Sequence, residues 1–228
     1  MMSPPIPFEV MSQRVWLSPE RCLFWEDERC LVISDLHFGK TGHFRKSGIA
    51  IPQQVYQTDL QRLLSLVSHF RPDTLIFTGD LFHSHENLEH ALFSRWRDSI
   101  PVRDIRLVRG NHDILSADEY VRMGIELHRI SHSIGPFRFV HDLKDLDGSE
   151  DGGYPISGHV HPGIRLAGMG KQSLRLPCFL FTERFAVLPA FSHFTGLALV
   201  EPSGSDRVFA IVPAERGKGK PATVVSIQ

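Results

Sequence analysis

Three short apolar segments in the first half of the chain alternate with segments of helical periodicity, and this alternation restricts the fold more than any other feature. The apolar segments are residues 30–34, 74–78 and 105–108. After Pro52, leucine and valine recur at helical spacing, and a second helical pattern covers residues 87–98. Strands that alternate with helices predict a sheet with helices packed against it, which is an α/β fold.

The second half of the chain is rich in predicted strands. Two strands and two hairpins are expected there: strands at 137–141 and 156–157, and hairpins that pair 179–182 with 185–188 and 197–200 with 208–212. No linker divides the chain, so we expect one domain over residues 1–213. The segment 214–228 combines basic residues with Gly and Pro and is predicted to be a disordered tail.

The composition argues against several functional classes. The 228 residues and 42% hydrophobic content are enough for a large core. The net charge of −1 gives no global field that would attract DNA or a membrane, so a nucleic-acid contact would need a local basic patch. The three cysteines are widely spaced and form no zinc or redox motif, which fits a reducing cytoplasm. The amino terminus does not read as a secretion signal, and no apolar run reaches the length of a membrane span.

Titratable or amide side chains follow five of the predicted strands at the point where each strand ends. These segments are Ser34-Asp35-Leu36-His37, Gly79-Asp80, Gly110-Asn111-His112-Asp113, His141-Asp142 and Gly158-His159-Val160-His161. Because the carboxyl ends of strands in open α/β sheets line the ligand crevice, we expect these side chains to meet in one place. Asp-Leu-His or Gly-Asp alone would read as a structural or surface feature, whereas Gly-Asn-His-Asp and Gly-His-Val-His are more specific. The five together, each after a strand, indicate a functional site.

The side-chain types in these motifs suit two divalent cations. Imidazole favours Zn, Fe, Ni or Mn, whereas carboxylate and amide oxygens favour Mg or Mn. Asp80 follows a glycine, which permits a sharp turn, and is the candidate for a carboxylate that bridges both ions. In an extended segment, residues two apart point the same way, so Asp35 with His37, and His159 with His161, are each expected to reach one cluster.

The same motifs resemble a known superfamily. SDLHFGK, GDLFH, GNHD, the histidine at 141 and GHVH are similar to the five blocks of the calcineurin-like metallophosphoesterases, over residues 35–161. SDLHFGKTGHFRKSGIAIP, GDLFHS and LPAFSHFTG further resemble the ligase-associated DNA damage response endonuclease family, called the PdeM type. This resemblance implies a four-layer α/β/β/α sandwich with a two-metal site at the carboxyl ends of the strands.

The resemblance also implies roles for individual residues. One metal would be held by Asp35, His37, Asp80 and His161, and the other by Asp80, Asn111, His141 and His159. His112 would protonate the leaving oxygen, and Asp113 would orient or tune His112. The local pattern independently favours this role for His112, because it follows a candidate ligand and, by alternation, should turn its ring toward substrate.

The implied function is a metal-dependent phosphodiesterase or endonuclease that acts on nucleic acid in DNA repair, with a hydroxide between the two ions as nucleophile. Mn²⁺ is the expected metal, and Fe, Zn and Ni are the alternatives. The expected substrate is single-stranded nucleic acid, with a functional link to a DNA ligase and a helicase and no membrane partner. A small-molecule phosphatase or a cyclic nucleotide phosphodiesterase remains the alternative, because metal ligands do not encode the substrate.

Three further groups of residues have two interpretations each. The basic segment with Lys40, Arg45 and Lys46 either holds substrate phosphates or is an ordinary solvated loop. His83 and His85 either support the site indirectly or lie on the surface. The segment 191–194, with sequence FSHF, either lines a substrate wall where bases stack or packs in the core.

Overall fold

The structure is a computed structural model that describes residues 3–38, 54–83, 87–146, 153–168, 173–215 and 220–227. The side chains of residues 54–57 and 87–89 are not among those described. Pro52, which was expected to open the first helix, lies outside these ranges.

The first sheet carries the three predicted strands and four strands that sequence reasoning missed. Its strands are β1 Ile6–Val10, β2 Gln13–Ser18, β3 Cys22–Trp25, β4 Cys30–Ile33, β5 Thr74–Thr78, β6 Asp104–Val108 and β7 Glu126–His128, in that spatial order. Strands β1 to β4 pair antiparallel, whereas β4 to β7 pair parallel. The parallel half therefore brings the carboxyl ends of β4, β5 and β6 to one edge.

Helices pack on one face of this sheet. They are α1 Gln54–Phe70, α2 Asn87–Ser99 and α3 Ala117–Arg122. Leu63 of α1 and Phe93 of α2 are fully buried in one apolar cluster with Leu31, Phe77 and other inward residues of the sheet. A capping box begins α3: the Glu119 carboxylate accepts hydrogen bonds from the Ser116 amide and hydroxyl.

The second sheet is built from the rest of the chain. Its strands are β8 Ser131–Ile134, β9 Phe137–Val140, β10 Tyr154–Ser157, β11 Pro162–Ala167, β12 Ser173–Phe181, β13 Ala186–Val187, β14 Ala198–Leu199, β15 Arg207–Val212 and β16 Thr223–Ser226. The spatial order is β14-β11-β12-β13-β10-β9-β8, and β15 pairs with both β12 and β16. Strand β10 runs parallel to its neighbours β9 and β13.

The two sheets pack face to face because side chains on the parallel strands alternate between two apolar clusters. Leu31 and Ile33 of β4 face the helices, whereas Cys30 and Val32 face the second sheet. Such strands are apolar throughout because both faces are buried. The second sheet's outer face carries a smaller apolar cluster, and a 3₁₀ turn at Leu143–Asp145 contributes Leu143 to it. The layered α/β sandwich is thus confirmed.

Two predictions for the end of the chain were wrong in part. The hairpin of 179–182 with 185–188 is present as β12 and β13, but β14 pairs with β11, so it forms no hairpin with β15. The segment 214–228 was expected to be disordered, yet Thr223–Ser226 forms β16 against β15. Val224 is 5% exposed and packs between the sheets, which explains why this segment is ordered. The domain boundary at residue 213 stays a prediction.

Candidate metal centre

The five predicted motifs converge at the carboxyl ends of β4, β5, β6, β9 and β10. They bring together the seven side chains that we call the strand-end cluster: Asp35, His37, Asp80, Asn111, His141, His159 and His161. Six of these residues fall into two groups whose candidate ligand atoms lie within 4.8 Å of one another, one of Asp35, His37 and His161 and one of Asp80, His141 and His159. Each group falls within one of the two ligand sets that the family resemblance implies, and their role as metal ligands stays a prediction.

The first group surrounds one oxygen of Asp35. Asp35 Oδ1 lies 3.3 Å from His161 Nε2 and 4.0 Å from His37 Nε2. The other oxygen, Oδ2, accepts hydrogen bonds from the Ser34 hydroxyl and from the His159 amide. The carboxylate is therefore held by one oxygen while the other faces two imidazole nitrogens.

The second group is centred on His141. His141 Nε2 lies 3.1 Å from His159 Nδ1 and 3.1 Å from Asn111 Oδ1. Its other ring nitrogen, Nδ1, lies 3.0 Å from the Thr78 carbonyl oxygen. A hydrogen bond from Nδ1 to that carbonyl leaves Nε2 as an acceptor directed into the cluster, which is the usual arrangement of a metal-binding histidine.

Asp80 lies between the two groups. Its Oδ2 is 3.7 Å from His37 Nε2 in the first group, and its Oδ1 is 3.6 Å from His141 Nε2 in the second. The His112 amide donates to Oδ1 at 2.9 Å and fixes the carboxylate. Each oxygen of one carboxylate thus faces a different group, an arrangement that suits a ligand shared by two ions.

The backbone at five of these residues is left-handed, which corrects the prediction of an extended segment. Asp35, His37, Asp80, His159 and His161 have φ between 46° and 63°. Non-glycine residues rarely adopt this conformation, which costs about 1–3 kcal/mol each, and such residues concentrate at functional sites. The paired residues still reach one cluster, but through alternating left-handed turns rather than through strand geometry.

Glycines provide the space that the cluster needs. A Cβ at Gly79 would overlap the His141 ring, and Gly79 also has a φ of 87°. A Cβ at Gly110 would overlap the Asp80 carboxylate, and one at Gly158 would overlap Ser34. The glycine before each ligand in the motifs GD, GN and GH is therefore required by close packing of the ligand side chains.

The buried atoms of the cluster fit a bound cation. Asp35 Oδ1 and His161 Nε2 are both buried and face each other at 3.3 Å, but within the described part of the chain neither makes a hydrogen bond of good geometry. Burial favours a raised pKa for Asp35, but His161 and the Ser34 hydroxyl outweigh it and keep the pKa of Asp35 below its ordinary value. For Asp80, burial prevails over His141 and the His112 amide and raises the pKa. Buried imidazole and carboxylate atoms that face one another suit a divalent metal.

The rings of His112 and His83 lie next to each other beside the first group. The His112 ring centroid lies 5.3 Å from that of His37 and 4.7 Å from that of His83. Both rings are half-buried, and one ring nitrogen each of His37, His83 and His112 falls within the same 4.8 Å limit. His112 is thus placed beside the cluster, and His83 is closer to it than a surface residue would be.

The Asp113 carboxylate hydrogen-bonds to backbone amides in two turns rather than to the His112 ring. Its Oδ1 accepts from the amides of Leu81 at 3.0 Å and Phe82 at 3.3 Å, and its Oδ2 accepts from the amide of Gly110 at 2.8 Å. Burial raises the pKa of Asp113 to about 6. The carboxylate therefore ties the loop after β5 to the loop after β6, and its influence on His112 passes through that second loop.

Asp142 is a site residue that sequence reasoning did not single out. Its Oδ2 lies 3.5 Å from His159 Nε2, on the side of that ring away from His141. A carboxylate behind a candidate ligand orients the imidazole and raises its basicity. The signal in the sequence that could have identified Asp142 is its position directly after His141.

The predicted substrate-binding residues Lys40, Arg45 and Lys46 lie outside the described residues, as does His85. Their roles stay predictions. Among the described residues, no helix combines the length and the apolar character that a membrane crossing demands.

Comparisons with known proteins agree with this geometry. The family model described as calcineurin-like phosphoesterase matches residues 28–193. The crystal structure of Pseudomonas putida nuclease MPE is similar, with a TM-score of 0.76, 28% sequence identity, and coverage of 90% of this chain and 96% of that chain. A search of curated proteins found no match.

Two further solved structures are more distant. The Aquifex aeolicus protein AQ665, of unknown function, has a TM-score of 0.44 and 20% identity, and covers 58% of this chain and 78% of its own. The phosphoesterase Yfce from E. coli has a TM-score of 0.42 and 13% identity, and covers 79% of this chain and 86% of its own.

Proposed function

The chain belongs to the calcineurin-like phosphoesterase family, and we propose that it is a two-metal phosphodiesterase that cleaves nucleic acid. The observation that carries the two-metal part is Asp80, whose two oxygens face the two imidazole groups separately. The similarity to a nuclease over 90% of the chain supports nucleic acid as the substrate.

The proposed ligand sets follow the two groups. Asp35, His37, Asp80 and His161 would hold one ion, and Asp80, Asn111, His141 and His159 would hold the other. When bound, two divalent cations supply Lewis acidity, which promotes deprotonation of water and offsets charge on the phosphoryl oxygens. Mn²⁺ suits this mixture of imidazole, carboxylate and amide donors.

The chain's own contribution to bond cleavage is proposed to come from His112. Its backbone amide is held by Asp80, so the position of its ring is fixed relative to the cluster. The ring is half-buried beside His37, where it can donate a proton to the leaving oxygen of a phosphoester. Asp113 keeps the His112 turn in register with the loop after β5.

A diester suits this site better than a monoester does. A monoester phosphate carries about two negative charges near neutral pH and needs additional cationic side chains, whereas a diester carries one. Single-stranded nucleic acid also offers neighbouring phosphates to Lys40, Arg45 and Lys46, which follow the first ligand motif in the sequence. We propose that these three residues hold the substrate backbone.

The cellular setting that fits this activity is DNA repair in the cytoplasm, with a functional link to a DNA ligase and a helicase. The similarity of the motifs to a repair-associated endonuclease family supports this setting. The three cysteines are free and buried, which is compatible with a reducing compartment.

A small-molecule phosphatase or a cyclic nucleotide phosphodiesterase is the second candidate. The net charge of −1 favours it, because proteins that bind nucleic acid usually present an excess of positive charge. The metal ligands are the same in both candidates, so only the substrate distinguishes them.

A substrate panel with added Mn²⁺ tests the proposal. It compares bis-para-nitrophenyl phosphate, para-nitrophenyl phosphate, 2′,3′-cyclic nucleotides and single-stranded DNA. We expect kcat/KM to be higher for the diester than for the monoester, and we expect cleavage of DNA. A diester-to-monoester ratio below one, without DNA cleavage, would establish the small-molecule alternative.

Salt dependence tests the basic segment separately. Binding of single-stranded DNA should weaken with salt with a slope of about −0.7 per phosphate contact. The double variant Arg45→Ala with Lys46→Ala should flatten that slope. An unchanged slope would remove these residues from the substrate contact, and a high diester-to-monoester ratio without any salt slope would favour a small-diester hydrolase.

A further inference from the structure

A five-residue segment lies between Ser192 and Ala198, and each of these two residues is hydrogen-bonded to a loop that carries ligands of the first group. The segment is residues 193–197, which we call the 193–197 loop. Immediately before it, the Ser192 amide donates to the Asp35 carbonyl at 3.3 Å. Immediately after it, the Ala198 amide donates to the His161 carbonyl at 3.1 Å. Both ends of this loop are therefore bonded to the backbone of residues that we assign to one metal.

The first anchor of the loop is rigid. Phe191 is fully buried, and its amide donates to the Ser34 carbonyl at 2.8 Å. The Arg62 guanidinium lies 4.1 Å from the centre of the Phe191 ring and donates to the Phe191 carbonyl at 3.1 Å. Arg21 donates to the Ser192 carbonyl at 2.8 Å. Two arginines thus hold the backbone of Phe191 and Ser192 in place.

The loop then presents an aromatic ring to solvent. The Phe194 amide donates to the Ser192 hydroxyl at 3.2 Å, and the Thr195 hydroxyl donates to the Ser192 carbonyl at 3.3 Å. This local turn directs the chain outward, and Phe194 remains 40% exposed. The sequence left two interpretations for the FSHF segment, and the structure divides them: Phe191 is a core residue, whereas Phe194 is not.

We propose that Phe194 is a stacking platform for a nucleobase of the substrate, next to the phosphate held by the strand-end cluster. The inference rests on the proposed function and adds to it a determinant for nucleotide substrates. The loop that carries Phe194 is bonded at both ends to the backbone of first-group residues, which places its exposed ring close to that group. Every base offers an aromatic face, so stacking would select nucleic acid without selecting a sequence.

The rim of the cluster supports the same occupant. Val160, which lies between His159 and His161, is 40% exposed, and Ile114, which follows Asp113, is 50% exposed. Apolar side chains therefore reach solvent on two of the ligand-bearing loops as well as on the 193–197 loop. A planar base can contact such a surface through its apolar face, whereas a phosphate group alone cannot.

The experiment compares two single-stranded oligonucleotides of equal length, one with bases and one with abasic tetrahydrofuran residues throughout. Phe194→Ala should raise KM for the base-containing strand by roughly 5- to 100-fold, the range of a lost base–aromatic contact, with little change in kcat. The same variant should leave kcat/KM for the abasic strand within about twofold of wild type. Phe194→Tyr and Phe194→Trp, which keep the aromatic face, should restore the KM.

A matched control and a second measurement separate the outcomes. Met11→Ala truncates another exposed apolar side chain, 49% exposed, in the turn between β1 and β2 at the opposite edge of the first sheet, and should change neither KM. The fluorescence of Phe194→Trp, relative to wild type, should be quenched by the base-containing strand and not by the abasic one. Equal losses on both strands, or no base-dependent quenching, would overturn the proposal.

Failure of the proposed function would look different. A wild-type protein that cleaves neither oligonucleotide nor any small diester would contradict the phosphodiesterase assignment. In that case, quenching of Phe194→Trp fluorescence by the base-containing strand would still support the stacking platform. Without that quenching, the platform and the phosphodiesterase assignment would both be rejected.

Discussion

Two histidine-rich regions of this molecule have opposite chemistry. In the strand-end cluster, buried imidazole nitrogens face carboxylate oxygens of Asp35 and Asp80. At the junction of β7 and β8, the rings of His128 and His132 lie 4.0 Å apart, and Arg106 contacts His132 Nε2 at 2.6 Å. We call these two histidines the 128–132 pair.

The difference lies in which group supplies positive charge. Arg106 also donates to Asp104 at 2.5 Å, so a cation is already built into the second region. Burial lowers the pKa of His132 to about 4, with His128 and Arg106 adding to the effect, and burial lowers the pKa of His128 despite Glu126. The 128–132 pair therefore stays neutral without a metal. A cluster of histidines alone therefore does not identify a metal centre. The charges that surround the rings distinguish the two regions.

The largest expected effect separates the two regions by metal dependence. Exhaustive chelation should abolish turnover of bis-para-nitrophenyl phosphate, and Mn²⁺ should restore it, because the strand-end cluster supplies the ligands. His132→Gln should retain wild-type turnover and metal content, since Arg106 already contacts the 128–132 pair and a second cation is disfavoured there. Full activity at zero metal content, or a loss of metal in His132→Gln, would break the comparison.

A second large effect is expected from Gly79→Ala. The new Cβ would overlap the His141 ring, and the φ of 87° at this position disfavours any side chain. We expect the second group to be displaced, with a loss of one metal per chain and of nearly all activity. Gly204→Ala is the control, because a Cβ there meets no atom within 4 Å. Metal analysis together with circular dichroism distinguishes loss of the site from loss of the fold; unchanged metal content would show that the packing is adaptable.

The next effect concerns proton donation. His112→Ala should lower kcat by roughly 10²–10⁴-fold on substrates with alkyl leaving groups, the usual range for a general acid. The loss should be smaller for para-nitrophenyl esters, whose leaving group needs no proton, and metal content should not change. Equal losses for both leaving groups would assign His112 another role.

The smallest effect is a pH dependence of stability from the 128–132 pair. The pKa of His132 is depressed in the folded state, so protons bind the unfolded chain more readily. The stability that the neutral ring contributes is present above pH 6.5 and is lost as the pH falls from 6.5 toward 4. Between pH 7 and 5, the urea midpoint should fall more for wild type than for His132→Gln. Parallel curves would show that the pair does not couple protonation to folding.

Much of the site was predictable from the sequence because it depends on local order along the chain. Apolar segments such as β4 and β5 mark buried strands, and polar residues directly after them must appear at a strand end. Asp35, Asp80 and His141 were therefore found by position alone. The left-handed backbone at Asp35 could not be found in this way. This conformation is disfavoured for a residue with a side chain, and the surrounding contacts impose it.

The rest depended on contacts between distant segments, which no local pattern encodes. The pairing of β14 with β11 rather than with β15 joins residues far apart in sequence, and the hairpin prediction failed there. Strand β16 is ordered because it pairs with β15 and because Val224 packs between the sheets. The contact of Asp142 with His159 likewise appears only when two loops meet.

Metal stoichiometry of Asp80→Asn tests the central claim most directly. Asp80 faces both groups, so its loss should affect both ions, whereas loss of Asp35 or His159 should affect one. By inductively coupled plasma mass spectrometry on Mn²⁺-loaded, desalted protein, we expect two ions per chain in wild type and a loss of both in Asp80→Asn, with a melting curve that shows a folded protein. Two retained ions and a near-normal rate in Asp80→Asn would contradict the bridging role and the two-metal account built on it.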